Sequence, residues 1–295
     1  KISFVLGGGS FSFVGTDEHG SYFEAGGMRY TGSGDRWSYS VAFNGMLEQP
    51  EDPARVGYTF DGWYADATFT KPFSFDSVPG SNVTVYAKWQ VITYNITYDN
   101  VSSVGGSIGG DYVSSFSSET TTRQYFPTAT DLSRRGYTLD HWVYYDSASG
   151  TEYTVESFYV EGEQLYLFGA SEDAPVWTLS LSKLPSSGLS LRAVWKATEY
   201  TVSYYDGEQI LDFSDTYTIE QSRDLAAGPP KTGYTFKGWK IRSYDSADAV
   251  NESLYNAYFT SGTALSQIHP NTVGDFALEA IYEVNRHTLY FNANG

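Results

Sequence analysis

The chain contains no cysteine. Disulfides, thiol nucleophiles and thiolate metal sites are therefore excluded. Basic residues are scarce: 18 Lys and Arg stand against 35 Asp and Glu, for a formal charge of -17. Such a chain repels a phosphate backbone and an anionic lipid surface alike, so neither nucleic acid nor membrane insertion is expected. No run of about 18 apolar residues occurs, the length a membrane-crossing helix needs. Long runs of strong helix formers are also missing. The first residue is Lys1 and no leader opens the chain, so the sequence reads as a fragment of something longer.

What is present favours strands. The 295 residues include 26 Tyr, 18 Phe and 7 Trp, with Gly, Ser, Thr and Val abundant around them. The length suits two or three domains. One octet is written three times: "GYTFDGWY" from Gly57, "GYTLDHWV" from Gly136 and "GYTFKGWK" from Gly233. Each copy is followed by a closing motif, "VTVYAKW" ending at Trp89, "LSLRAVW" ending at Trp195 and "FALEAIY" ending at Tyr282. An opening motif precedes each, "KISFVLGGG", "YNITYD" and "YTVSYYDG", and a fourth, "HTLYFNANG", begins at His287. Internal repetition of this kind marks a tandem array.

The expected units are residues 1–91, 92–197 and 198–284, with 285–295 as the first strand of a fourth. No Pro- or Ser-rich linker separates them, which predicts a semi-rigid rod. In the closing motifs Val83, Val85, Ala87 and Trp89 share one strand face, as do Leu189, Leu191, Ala193 and Trp195, and Phe276, Leu278, Ala280 and Tyr282. The small Ala directly before the large ring predicts one tight spot in a packed face. In the octets Tyr58 and Phe60 fall on one face and Trp63 on the other, unless a bulge at Gly62 re-aims the ring. The octets' Gly57, Gly136 and Gly233 predict a backbone shape that other residues resist, with Tyr58, Tyr137, Tyr234, Phe60 and Phe236 filling a core and Trp63, Trp142 and Trp239 sealing it. Proline-containing loops precede the octets at 48–57 and 226–233. Two short helices are expected, over 219–226 and 246–257. Extra length falls after the octet in the second and third units, and before it in the first.

These ordered motifs resemble the Listeria/Bacteroides repeat family, the internalin B-repeat type of Gram-positive surface proteins. The likeness is carried by the opening strand with its Gly-rich turn, the Pro-containing loop, the octet and the closing strand. The second unit departs most, with His141 in place of the octet's Gly and Leu139 in place of its Phe. The resemblance implies a mostly β, α+β fold: three small β-grasp-like domains with little helix. It implies a secreted, cell-wall-attached location and a stalk or adhesive role, without a cofactor.

Candidate chemistry is sparse. His19, His141, His269 and His287 show no metal-ligand spacing, no G-x-S-x-G elbow marks a nucleophile, and "GGGS" and "GGSIGG" lack the Lys-Ser/Thr of a phosphate loop. No carboxylate recurs at one repeat position: Asp61, Asp140 and Lys237 share a slot that changes sign. "GTDEHG", "YYDSASGTE" and "SYDSADAVNE" gather calcium-type oxygens without EF-hand spacing and are expected to be Asx turns. Asn82, Asn95, Asn100 and Asn251 stand in N-x-S/T sequences and are expected to carry nothing. No Lys recurs on a core face, so a Lys–Asn cross-link is not expected. The aromatics outside the shared motifs, Trp37, Trp177, Tyr144, Tyr145, Tyr153 and Tyr159, have two readings: a satellite core under a long loop, or a patch for a host glycan or extracellular protein. Apart from these, the partners expected are neighbouring repeats of the same chain.

Overall fold

The computed structural model describes residues 1–12, 15–42, 45 and 47–291. Three sheets share one three-stranded plan. The opening strands are Ile2–Val5, Tyr94–Asp99 and Tyr200–Asp206; the octet strands are Tyr58–Tyr64, Tyr137–Asp146 and Tyr234–Ser243; the closing strands are Val83–Val91, Leu189–Ala197 and Phe276–Val284. In each sheet the closing strand lies between the other two. Opening and closing strands run parallel, with Ile2 beside Val83, Ile96 beside Leu189 and Val202 beside Phe276. A parallel pair needs a long crossover, and here the crossover carries the octet.

Each repeat adds its own strands to this plan. The first extends its sheet through a meander of four strands, Gly15–Asp17, Gly20–Ala25, Met28–Ser33 and Arg36–Tyr39, the last pairing with the opening strand. The second extends its octet strand into a hairpin with Thr151–Val155 and continues into a separate sheet of Gln124–Tyr125, Ser157–Glu161, Gln164–Phe168 and Trp177–Ser180. The third pairs its opening strand with Gln209–Tyr217 and carries the helix Ala249–Ser261. That helix is capped at its start by Asp248, which accepts from the amides of Val250 and Asn251, and ends at Gly262.

The expected helix over 219–226 does not form. Ile219 and Glu220 make a turn, and Arg223–Asp224 pairs as a strand with Gln267–Ile268. Eight residues are marginal for a helix unless packing favours it, and here the packing favours a strand.

By spatial clustering the chain forms two compact units. One comprises Lys1–Asp99, Asp111–Phe126 and Trp142–Arg192; the other comprises Asn100–Gly110, Pro127–His141 and Ala193–Gly295. The division passes between His141 and Trp142, inside the second octet. Each of the first two octets thus has its Gly–Tyr end clustered with residues of the repeat that follows it. Residues 286–291 form no strand, and Leu289, Tyr290 and Phe291 are exposed.

Candidate functional site

The octets form the walls of the cores. Gly62 and Gly238 hold φ of 96° and 124°, and the strand register slips between Phe60 and Trp63 and between Phe236 and Gly238. These bulges turn Trp63 and Trp239 onto the same face as Phe60 and Phe236, whose rings they meet edge-on at 5.3 and 5.1 Å. Trp63, Trp142 and Trp239 are 4, 3 and 1 % exposed. Each packs on the equivalent opening-strand ring: Phe4 at 5.1 Å, Tyr98 at 4.9 Å and Tyr204 at 4.4 Å. The invariant small residue of the closing strand is explained by the pairing, because Ala87 lies opposite Trp63 and Ala280 opposite Trp239. A larger side chain there would collide with the indole. His141 replaces the bulge glycine in the second repeat and is not among the residues of positive φ.

The rings of the closing strands clamp the loops beneath them. Trp89 Nε1 donates to the Leu6 carbonyl, Trp195 Nε1 to the Asn100 carbonyl, each at 2.7 Å, and the Tyr282 hydroxyl to the Pro229 carbonyl at 2.8 Å. Tyr58, Tyr137 and Tyr234 depart from the expected core role. Tyr58 and Tyr137 are half-buried and Tyr234 is exposed. Each lies under a basic residue three positions earlier: Arg55 at 3.7 Å, Arg134 at 3.8 Å and Lys231 at 5.5 Å from the ring centre. Gly57, Gly136 and Gly233 all hold positive φ, near 80°, and their carbonyls accept from the amides of Ile92, Thr198 and Asn285. That conformation costs an L-residue about 1–2 kcal/mol. The basic residue two places before each glycine was visible in the sequence but carries no periodicity, so strand patterning did not reveal it.

The aromatics of the second repeat fall into three groups. Tyr144 and Tyr153 are cross-strand partners, and both approach the Trp177 ring, at 4.4 and 6.4 Å. Burial pushes the pKa of the Tyr144 hydroxyl up, and bonds from Ser149, the Ala148 amide and Trp177 hold that of the neighbouring Asp146 carboxylate below its usual range. Tyr145 points to the opposite face, 55 % exposed, beside an open depression of about 490 Å³ lined also by Asp99, Glu152, Ser190 and Arg192. Arg192 pairs with Glu152 at 2.7 Å. Tyr159 belongs to the separate sheet, stacked on Tyr166 at 5.2 Å and Phe168 at 5.4 Å above a core of Phe158, Val160, Leu165 and Leu167. Trp37 is not a platform. It is 6 % exposed and packs on Phe11 and Phe23, because the meander of the first repeat curls an extra core over it.

The acidic loops are turns. Asp17 accepts from the His19 amide and pairs with Arg29; Asp146 accepts from the Ala148 amide; Asp245 accepts from the Ala247 amide. Among the described residues no group of three or more His, Cys, Asp or Glu is placed to hold a metal ion. His141 meets Asp140 at 2.7 Å, and the His269 ring lies 5.8 Å from that of Tyr255. Lys88 pairs with Asp61 at 2.6 Å on the outer face. Asn251 is fully buried: its side chain bonds the carbonyls of Asp245 and Val273 and the amide of Val273, so its N-x-S sequence is closed to modification in the folded chain.

Three sheets of one plan, each sealed by its own octet, define a tandem β-repeat protein. The model of the Listeria-Bacteroides repeat domain matches three times, over residues 22–88, 94–168 and 200–261, and the chain belongs to that family. It is similar to two proteins of Evansella cellulosilytica. One, described as a putative membrane protein, is 27 % identical over 63 % of this chain. The other, a putative Gly-rich membrane protein, is 25 % identical over 84 % of it. Internalin H of Listeria monocytogenes is 29 % identical over 40 % of the chain. The alignments span 27, 23 and 19 % of those proteins' own lengths. No solved structure gives a significant match. These likenesses are those of a cell-surface repeat protein, and no helix among the described residues is long and apolar enough to cross a membrane.

Proposed function

We propose that this chain is a non-enzymatic stretch of an extracellular, cell-wall-attached protein, in which β-grasp-like repeats stack as a stalk that projects or presents an adhesive surface. The observation that carries this reading is the burial of the octet tryptophan in every repeat. The repeated signature is spent on packing, so its recurrence selects for a foldable unit and not for a reacting group. The parallel opening–closing pair flanked by the octet strand supports the β-grasp-like assignment, and each such sheet lies within one of the spans 1–91, 92–197 and 198–284. Its partners along the chain are neighbouring repeats, and it needs no cofactor.

A second reading is favoured by one observation: Tyr144, Tyr153 and Trp177 form a contiguous aromatic face on the most divergent repeat. Such a face stacks on sugar rings or takes a protein side chain. Host glycans and extracellular proteins are the partners it would meet. The test is a glycan and matrix-protein array probed with the full chain and with Trp177→Ala. Removing 146–177 outright would delete the core residues Phe158, Leu165 and Leu167 and uncover Phe116 and Phe126, whose rings pack on Phe158, so the point variant is the cleaner probe. Binding lost in Trp177→Ala, with circular dichroism unchanged, assigns the face to recognition. No binding by the parent chain leaves the stalk reading as it stands.

A further inference from the structure

The Gly–Tyr ends of the octets serve a purpose beyond their own sheets. In the first octet, a Cβ on Gly57 would sit 2.8 Å from Ser118 Cβ, and the Tyr58 hydroxyl donates to Glu119 at 3.2 Å. In the second, a Cβ on Gly136 would sit 2.5–3.0 Å from three Ile219 carbons, and the Tyr137 hydroxyl donates to Glu220 at 3.3 Å. Ser118–Glu119 and Ile219–Glu220 hold the same place in the following repeat. Each pair comes just after the residue that faces the start of the opening strand, Phe116 opposite Tyr94 and Tyr217 opposite Tyr200. Both glutamate amides bond the hydroxyl two residues back, Ser117 and Thr218, so the two turns are built alike. The sequence shared by the two turns is aromatic, Ser/Thr, any residue, Glu: "FSSE" and "YTIE".

The third octet carries the same parts uncovered. Among the described residues nothing lies within 4 Å of a Cβ on Gly233, and Tyr234 is 42 % exposed beneath Lys231. We propose that each octet's Gly–Tyr end is a socket for the aromatic-Ser/Thr-x-Glu turn of the next repeat, and that the socket at Gly233–Tyr234 takes a following repeat of the same kind. Glycine is required twice over: for its positive φ, and because a methyl group would fill the space the turn occupies. The basic residue stacked over the tyrosine ring holds that ring in place at the socket. This joint stands whether or not the array serves as a stalk.

Two alanine variants separate the joint from backbone strain, because Gly136 and Gly233 share φ of 75° and 80°. Hydrogen exchange is read in the full chain at the opening strand of the substituted repeat, Tyr94–Asp99 for Gly136→Ala and Tyr200–Asp206 for Gly233→Ala. Gly233→Ala carries strain alone. Gly136→Ala carries strain and the collision with Ile219, so protection falls by a further factor of about 5–30, and adding Ile219→Ala restores most of it. The chain is then extended by appending a second copy of residues 208–284, which contains "YTIE", after Gly295. In the extended chain Gly233→Ala becomes as damaging as Gly136→Ala, read at the same Tyr200–Asp206 amides. Equal losses for Gly136→Ala and Gly233→Ala in the parent chain, or no rescue by Ile219→Ala, would overturn the joint. An unchanged cost of Gly233→Ala in the extended chain would overturn its use by a following repeat.

Discussion

The first and third repeats differ at one buried atom, and that difference can be measured. Trp239 Nε1 donates to the Ala226 carbonyl at 2.7 Å, whereas Trp63 Nε1 is buried with no partner among the described residues. Replacing either indole by phenylalanine removes the pyrrole part of the ring, a packing loss of about 1–2 kcal/mol. Trp239→Phe also orphans the Ala226 carbonyl, adding about 1–3 kcal/mol. Trp63→Phe instead removes an unpaired buried donor, which recovers a similar amount. The two substitutions should therefore differ by at least about 2 kcal/mol, with Trp239→Phe destabilising and Trp63→Phe close to neutral. A single melting curve is a poor assay for a repeat array, and tryptophan fluorescence is altered by the substitutions themselves. Hydrogen exchange at the opening strands Ile2–Val5 and Tyr200–Asp206 reads each repeat separately. Equal loss of protection at the two sites would refute the assignment of an unpaired donor to Trp63.

Truncating the buried ring altogether, Trp63→Ala, should cost the first repeat about 3–5 kcal/mol, read as lost exchange protection of Ile2–Val5. The Arg135 guanidinium, bidentate to Asp248 at 2.6 and 2.7 Å, holds that carboxyl down at about 2 from its ordinary 3.8. Because the folded value is the lower one, Arg135 and the capping amides of Val250 and Asn251 together contribute about 2 kcal/mol above pH 4 that is lost as pH falls through 2; an acid titration of helix exchange should show this in the parent chain and a smaller effect in Arg135→Ala, where the cap amides remain. Asn251→Ala leaves the Val273 amide and carbonyl unpaired in the core and should destabilise the third repeat by about 2–4 kcal/mol, measured as a lowered denaturant midpoint for that repeat.

The parts of the fold that were legible were those written with period two and repeated. The face of Val85 and Ala87, of Leu191 and Ala193, and of Leu278 is buried, and alternation alone indicates it. The octet glycines were legible as conformational requirements. The direction of Trp63 was legible only through Gly62: alternation alone assigns the ring to the outer face, and the bulge that this glycine permits turns it into the core. The octet tyrosines were misplaced for a related reason: Tyr58 shares a face with Phe60 but stands at the strand end, where a neighbouring turn and Arg55 cover it. The strands Ser157–Glu161 and Gln164–Phe168 lay within an insertion that had no sibling to compare, so its sheet was hidden. The candidate aromatic face depended on which of those strands brings Trp177 against Tyr144, a long-range pairing that local pattern does not encode.

The side-by-side, same-direction placement of opening and closing strands has a mechanical meaning. A pull transmitted along the polypeptide drags those two strands past one another, so the ladder between Val202–Tyr205 and Phe276–Glu279 is loaded all at once and not peeled bond by bond. Each repeat then yields as a single event, and a force–extension trace would register discrete, high-force steps in place of gradual stretching.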